Sequence, residues 1–214
     1  NYNQQLPREQ IGTETCYRWE DADGTDHYFF YDENNTYKDE DGLEMSLTTS
    51  GSGTKKYALS DKKSNISYFD SDGRLTSQVN NQDEPSTITI DYHPTYPKLI
   101  TRITDGVGRK YNFTYNEWNL LTKIECIGTD NKLISQVTYT YSERSNLAIV
   151  TYKDGKSCYY TYNIDNQSNT ADDHILYSAC DIDGYTLNYN YLLRENDFHP
   201  WRVQTISSSQ IDAS

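Results

Sequence analysis

The chain has 214 residues and a formal net charge of −13; only 35% of it is hydrophobic, yet 14% is aromatic because 21 residues are tyrosine. No stretch approaches the roughly 18 apolar residues of a membrane span, which argues against membrane insertion. The acidic balance disfavours nucleic-acid binding, since phosphate contacts would start from an unfavourable field. A disordered acidic chain would be poor in aromatic residues, so we expect residues 1–214 to form one all-β domain.

Apolar and aromatic residues alternate with polar ones in four segments. Such period-2 spacing, rich in Tyr, Thr, Val and Ile, indicates half-buried antiparallel strands. Tyrosine suits these positions because its ring packs while its hydroxyl reaches water at the sheet margin. We therefore expect the tyrosines to point towards a common interior. The four sets are Ile88, Ile90 and Tyr92; Tyr111, Phe113 and Tyr115; Val137, Tyr139 and Tyr141; and Tyr185, Leu187, Tyr189 and Tyr191.

Short turns of one composition separate these segments. Asp at the first position accepts backbone N–H bonds and Gly adopts the positive φ that reverses the chain, so each turn predicts a hairpin. Asp154-Gly155 looks like a tighter, two-residue version. The other turns are Asp21–Gly24, Asp39–Gly42, Asp70–Gly73, Asp105–Gly108 and Asp181–Gly184.

A longer frame, aromatic–Asp/Asn–x–x–Gly/Asn, begins at Tyr31, Phe69, Tyr115 and Tyr162, with starts 38, 46 and 47 residues apart. Asn replaces Gly readily at a left-handed position, so the exchange is stereochemically sound. The chain therefore contains an irregular repeat of hairpin-sized pieces.

Two segments bear on domain organisation. The low-complexity stretch 48–56 predicts a flexible loop between hairpins or a boundary between sub-sheets. Near the end, Pro200 precedes a last predicted strand with Trp201, Val203 and Thr205, and we expect the tail 207–214 to be frayed.

At these residues the chain resembles the RHS/YD-repeat proteins. Phe69-Asp70-Ser71-Asp72-Gly73-Arg74-Leu75 is similar to the YDxxGRL core. The segment Ile103–Asn116 is similar to the companion pattern TDGxGRxYxFxYN, and Tyr115–Leu121 resembles the next core, with Asn116 and Asn119 in place of Asp and Gly. The dense match covers about residues 57–125. The residues that carry it are Phe69, Asp70, Gly73, Arg74, Leu75, Asp105, Gly108, Arg109, Tyr111, Phe113, Tyr115, Asn116, Asn119 and Leu121.

The resemblance implies long bacterial secreted or cell-surface proteins, whose antiparallel hairpins wind into a curved or spiral open sheet, in some members a shell around a toxic C-terminal segment. It implies no catalytic residues and no cofactor in the repeats. This chain departs from long arrays in its irregular spacing, and it lacks the self-cleaving segment that closes family shells. It resembles a flanking part of a larger repeat protein.

Other chemistry has weaker support in the sequence. The Asp-rich turns at residues 21–26 and 39–44 lack the ligand series of a calcium loop, so turn chemistry is favoured over a cation site. With 32 acidic residues, accidental carboxylate pairs are expected, which leaves a glycoside-type hydrolase as a minor alternative. The histidines have no zinc spacing, and no nucleophile elbow or phosphate loop is present. The histidines are His27, His93, His174 and His199.

The compartment is suggested by indirect signals. Cys16, Cys126, Cys158 and Cys180 lie far apart without a CxxC pair; buried free thiols are favoured, and two disulfides stay open. The first residue is Asn1 and no signal segment is present, which is typical of a processed product or a fragment. Four sequons, at Asn34, Asn65, Asn112 and Asn166, are no more than chance would give.

Three functional hypotheses follow. The first is a non-catalytic scaffold, exported and extracellular or on the cell surface, whose partners are other segments of a longer polypeptide. The second is a carbohydrate- or surface-binding module that uses exposed Tyr and Trp. The third is the hydrolase. Terminal strands of an excised sheet would carry unpaired edges, so edge-to-edge self-association is a further expectation.

Overall fold

The structure, a computed structural model, describes residues 4–21, 23–81, 84–162, 174–193 and 201–210. Its strands pair antiparallel in an open sheet, and these described residues contain essentially no helix, which confirms the predicted all-β class. The chain divides into two compact units: unit 1 comprises residues 1–111 and 128–130, and unit 2 comprises residues 112–127 and 131–214. For the stretch 48–56 the sequence predicted a loop between hairpins or a boundary between sub-sheets. In the structure it connects two paired strands and contains a bridge between Ser52 and Lys55.

Unit 1 is a meander in which each strand from β1 to β10 pairs with the next. Residues directly opposite each other in such pairs lie on the same face of the sheet. The strands are β1 Arg8–Ile11, β2 Glu14–Glu20, β3 Asp26–Tyr31, β4 Thr36–Asp39, β5 Ser46–Thr48, β6 Tyr57–Ser60, β7 Ile66–Phe69, β8 Leu75–Asn80, β9 Ser86–Tyr92 and β10 Ile100–Thr104, and β11 Lys110–Tyr115 crosses the division between the units.

Unit 2 continues the same hairpin pattern, with each strand from β12 to β18 paired with the next. The last strand runs through Gln210, and residues 207–210, at the start of the tail predicted to fray, pair with β17. Residues 211–214 lie outside the described residues. The strands are β12 Leu121–Ile127, β13 Leu133–Tyr141, β14 Leu147–Tyr152, β15 Ser157–Tyr162, β16 Leu176–Cys180, β17 Tyr185–Leu193 and β18 Trp201–Gln210.

The hydrophobic core lies in unit 1 and is mainly aliphatic and Phe. Its inward residues come from alternate positions of successive strands, as in the direct pair Leu47 and Leu59. Among the tyrosines that the structure describes, Tyr17 alone is buried with them, and it packs against the rings of Tyr37 and Tyr57 with centroids 4.9 and 5.3 Å away. The side chains that are at most 1% exposed are Leu6, Cys16, Phe29, Leu47, Leu59, Phe69 and Leu75.

The N-terminal segment 4–7 completes this core. Gln5 bridges to Glu20 on one side and to Arg74 on the other, and the Leu6 N–H donates to the Gly73 carbonyl at 2.8 Å. Leu6 is thereby 1% exposed. The segment links β2 to the β7–β8 turn, which are far apart in the meander.

Unit 2 buries far fewer apolar side chains than unit 1. Among its described residues, the buried apolar side chains are Cys126 and Val150. Most of its described tyrosines are half-buried, and Tyr152, Tyr159, Tyr177 and Tyr185 are exposed. The expectation that tyrosines share a closed interior is therefore wrong for most of the chain: aliphatic and Phe residues fill the core of unit 1, and the tyrosine rings of unit 2 line a sheet face instead.

The four cysteines are free thiols. Cys16 and Cys126 are buried and Cys158 and Cys180 are half-buried. Burial, reinforced by the charges of Glu9 and Glu40, raises the pKa of the Cys16 thiol, which keeps it protonated and unreactive.

Candidate docking surface

The hairpin turns share one geometry, shown by residues 70–74. The Asp70 N–H donates to the Arg74 carbonyl at 3.0 Å, and the Gly73 N–H donates to the Asp70 carbonyl at 3.0 Å. Gly73 has a φ of +75°. This is a three-residue hairpin loop whose last residue is left-handed, the arrangement that favours Gly or Asn at that position.

The same two backbone hydrogen bonds recur in seven other turns. Four were predicted from their Asp or Asn and Gly or Asn residues: 21–25, 105–109, 116–120 and 181–185. Two were not, because Ser replaces Gly at Ser64 and Ser145: 61–65 and 142–146. The seventh, 152–156, contains the predicted Asp154-Gly155 turn and has Tyr152 at its first position.

Three predicted turns differ from expectation. Residues 33–36 form a tight turn in which Asn34 and Asn35 both have positive φ, so the frame at Tyr31 does not share the common geometry. The loop after Asp39 is wider, because its carboxylate accepts from the distant N–H groups of Leu43 and Met45. Asp154-Gly155 belongs to a three-residue loop. The frame at Tyr162 continues into residues 163–166, outside the described residues, as are His199 and Pro200.

The carboxylate of Asp70 performs two tasks in its turn. Oδ1 accepts the N–H groups of Asp72 and Arg74 at 3.0 Å each, and Oδ2 accepts Nε of Arg74 at 2.8 Å. Asp105 repeats this with Arg109, whose Nε lies 2.7 Å from Oδ2. Burial opposes ionisation of Asp105, but the Arg109 hydrogen bonds outweigh it and lower the pKa of that carboxyl. This explains why Arg follows Gly in two of the motifs.

Asn116 needs no such cation. Its Oδ1 accepts the N–H groups of Trp118 and Leu120 at 3.1 and 2.9 Å, and Leu120 stands where the turns at Asp70 and Asp105 have Arg. Asn119 takes the left-handed position with a φ of +61°. In this turn, Asn at the first position accompanies the absence of the arginine found at Arg74 and Arg109.

The remaining motif residues are structural. Phe69 and Leu75 are direct cross-strand partners in the unit 1 core. Tyr111, Phe113 and Tyr115 are half-buried along β11, and Leu121 is half-buried at the start of β12. The structure thus places the predicted motif residues in two turns of unit 1, in the core beside them, and in the strands that flank the β11–β12 turn.

Sequence reasoning missed a second repeated device, which we term the tyrosine locks. The hydroxyls of Tyr92, Tyr141 and Tyr191 each donate to a leucine carbonyl at the start of the preceding strand, at 2.8, 2.7 and 2.7 Å. The acceptors are the carbonyls of Leu75, Leu121 and Leu176. The interval is 49 residues from Tyr92 to Tyr141 and 50 from Tyr141 to Tyr191, a more regular spacing than that of the turns. This regular interval between tyrosines is the sequence signal that could have revealed the tyrosine locks.

Burial keeps the lock phenols protonated and therefore able to donate. It raises the pKa of Tyr92 to about 12, assisted by the charge of Asp70 and opposed by Arg74. Burial also raises the pKa of Tyr141 and of Tyr191.

We expect Tyr141→Phe to lower the stability of the β12–β13 hairpin by about 1 kcal/mol, because the Leu121 carbonyl loses its donor. Tyr139→Phe is the matched control, since Tyr139 lies on the same strand and face and its hydroxyl makes no hydrogen bond within the described residues. Residue-resolved hydrogen exchange of β12 and β13 measures the difference. Equal effects of the two substitutions would contradict the lock.

The two faces of unit 2 differ in chemistry. Cross-strand pairs such as Tyr139–Val150, Tyr160–Ala179 and Tyr189–Ile206 belong to one face. We call it the tyrosine face; its tyrosines are Tyr139, Tyr141, Tyr152, Tyr160, Tyr162, Tyr185, Tyr189 and Tyr191. The opposite face carries hydroxyl and amide pairs, including Thr161–Ser178 at 2.6 Å and Asn190–Thr205 at 3.1 Å.

A cavity of about 450 Å³ opens at one margin of the tyrosine face. Tyr160 and Tyr162 line it together with Glu143, Arg144 and Asn146. Asn146 is buried and its Oδ1 contacts Nδ1 of His174. Two aromatic rings beside charged and amide groups could hold a polar ring-shaped ligand.

The described residues contain no group of three or more His, Cys, Asp or Glu side chains arranged to hold a metal ion. They also include no helix with the length and apolar content needed to cross a membrane.

Comparisons with known proteins give a fold likeness. No protein-family profile matches the chain, and no curated protein matches it significantly. Among solved structures, a TcdB2-TccC3-Cdc42 crystal structure matches 92% of this chain with a TM-score of 0.50 and 16% identity, and a Photorhabdus luminescens Tc holotoxin pore matches with a TM-score of 0.50 and 14% identity. This chain spans 11% of the length of each. At this identity the likeness establishes a shared β-sheet architecture.

Proposed function

We propose that the chain is a non-catalytic scaffold segment of a larger, exported RHS/YD-type protein, and that the tyrosine face of unit 2 docks another segment of that polypeptide. The observation that carries the proposal is the contrast between the units. Unit 1 closes its own core, whereas unit 2 leaves a broad half-buried aromatic face.

The chemistry of the tyrosine face fits a protein partner. Tyrosine is enriched at protein interfaces because it adds large apolar area with few rotatable bonds and keeps a polar tip. Ala179, Leu187 and Ile206 add apolar surface between the rings. The tyrosines of this face and the apolar residues between them are uncharged, so a segment docked on them would bury no unpaired ion there.

The fold likeness supports the larger context. The matching solved chains, from a TcdB2-TccC3-Cdc42 structure and a Tc holotoxin pore, are much longer than this one, which spans 11% of each. A segment of such a protein would contact neighbouring segments. Export of the whole protein is part of the same proposal.

Tyrosine nitration tests the docking role. Tyr159 and Tyr160 are adjacent in β15 but lie on opposite faces, which makes Tyr159 the internal control. We expect Tyr160 and Tyr189 to be nitrated in the isolated chain and protected in the product of the full reading frame, while Tyr159 is nitrated in both. Equal nitration of Tyr160 in the two proteins, or a reading frame that encodes only these residues, would overturn the proposal.

The cavity beside Tyr160 and Tyr162 favours a second candidate, carbohydrate binding. Aromatic rings stack on sugar faces, and the nearby Glu143 and Asn146 supply hydrogen-bonding groups. Binding on a glycan array that is abolished by Tyr162→Ala and retained by Tyr159→Ala would support this candidate. Because Tyr159 lies on the opposite face, this control distinguishes binding at the cavity from non-specific binding to exposed tyrosines.

The proposal assigns no catalytic role. Glycoside hydrolysis requires one carboxyl held protonated by a raised pKa. The hydrogen-bonded turn carboxylates have the opposite tendency: despite the opposing effect of burial, Asn65 and neighbouring N–H groups lower the pKa of Asp61. Turnover of a glycoside that disappears on a single Asp or Glu substitution, with folding intact, would contradict this assignment.

A further inference from the structure

The imidazole of His27 lies between two carboxylates from different loops of unit 1. Its Nε2 is 3.2 Å from Oδ2 of Asp21, and its Nδ1 is 3.1 Å from Oδ2 of Asp41. Asp21 begins the β2–β3 turn, and Asp41 belongs to the wide β4–β5 loop. His27 is only 8% exposed, and its ring packs at a tilt of 33° against the indole of Trp19, with ring centroids 5.4 Å apart.

This geometry has one well-matched protonation state. A neutral imidazole has a single N–H, so one ring nitrogen would present its lone pair to a carboxylate oxygen. The imidazolium donates from both nitrogens and satisfies both acceptors. The buried position strengthens both the attraction in the charged state and the mismatch in the neutral one.

We propose that Asp21, His27 and Asp41 form a pH-sensitive clamp, which holds the β4–β5 loop on the β2–β3 turn when the imidazole is protonated and releases it when the proton is lost. The clamp is independent of the docking role of unit 2. Among the described residues, Asp21 and Asp41 are the charged groups that face the ring, and Trp19 from β2 is uncharged.

The electrostatics agree with this geometry. Burial alone lowers the pKa of His27, but the hydrogen bonds and charges of Asp21 and Asp41 outweigh it, and the net pKa is raised. The clamp therefore contributes fully below the unfolded value of about 6.5, and its contribution is lost as the pH rises through the folded pKa. The Asp21 carboxyl stays ionised throughout, since hydrogen bonds from Asp23, Thr25 and His27 lower its pKa.

The clamp adjoins a cavity of about 390 Å³ in unit 1. Its lining includes Trp19, which packs against His27, and Met45, at the end of the β4–β5 loop. Leu59 and Ile88 contribute apolar surface to its wall. Release of the loop would therefore change the rim of this cavity.

The experiment follows the His27 ring by NMR from about pH 5.5 to about pH 9, a range that spans ordinary histidine titration. His27→Gln identifies its signal. Asp41→Asn removes one arm of the clamp at a half-exposed side chain, so the fold should tolerate it. Glu44→Gln is the matched control: it lies in the same loop, changes the charge equally, and contacts Lys62 instead of His27.

We expect a wild-type His27 midpoint above about 6.5 that falls in Asp41→Asn and is unchanged in Glu44→Gln. Protection factors of the Leu43 and Met45 amides, which donate to Asp39, should drop as the pH passes that midpoint. In Asp41→Asn these amides should be weakly protected at every pH. A midpoint insensitive to Asp41→Asn, or amide protection that does not follow the titration, would overturn the clamp.

Discussion

Replacing Gly73 with alanine is expected to destabilise unit 1 by about 3 kcal/mol. Gly73 has a φ of +75°, and a Cβ added there would lie 2.5 Å from the carbonyl oxygen of Leu6. The left-handed backbone costs a non-glycine residue about 1–2 kcal/mol. Relieving the clash would break the Leu6–Gly73 hydrogen bond, which adds about 1 kcal/mol, and would expose part of a buried leucine. Hydrogen exchange of unit 1 amides measures the change.

Gly24→Ala is the control that separates the cost of a positive φ from the cost of the steric clash with Leu6. Gly24 occupies the same position of the same type of turn in unit 1, with a φ of +89°, and a Cβ there would meet nothing within 4 Å. Its substitution should cost only the backbone term of about 1–2 kcal/mol. Gly73→Ala should also abolish protection of the Leu6 amide. If both variants lose the same stability, the N-terminal segment does not depend on Gly73.

The turns were predictable because their chemistry is local. Asp or Asn at the first position and Gly or Asn at the left-handed one specify the hydrogen bonds within five residues. Turns 61–65 and 142–146 were not predicted because Ser64 and Ser145 tolerate the left-handed position without being diagnostic of it. The alternation of β9, with Ile88 and Ile90 inward and Thr87 and Thr89 exposed, was equally local.

The depth of burial was not predictable, since it depends on contacts between distant parts of the chain. Tyr139 and Phe69 have similar alternating neighbours, yet one lies on a half-open face and the other is fully buried. Leu6 gave no periodic signal, because its segment is held by Gly73 far along the chain. The partner of His27, Asp41, lies fourteen residues away in another hairpin, so no short motif reveals the clamp.

Phe69→Ala should cost unit 1 about 3–5 kcal/mol, the range for truncating a buried Phe. Phe69 is 0% exposed and faces Tyr57 and Leu75 across its strand. Such a loss would approach the whole stability of a small domain, so the N-terminal segment and β6–β8 should lose exchange protection together. Denaturant unfolding, with residue-resolved exchange to assign the transition to unit 1, measures the effect.

Tyr115→Ala is the matched comparison, because Tyr115 holds the same motif position before the β11–β12 turn but is only half-buried. We expect it to cost about 1–2 kcal/mol, in proportion to the smaller apolar area it removes from water. A gap of this size would mean that one sequence motif serves two purposes, closing a core in unit 1 and supporting an open aromatic sheet in unit 2. Equal losses would indicate that unit 2 is as closed as unit 1, and the docking surface would lose its physical basis.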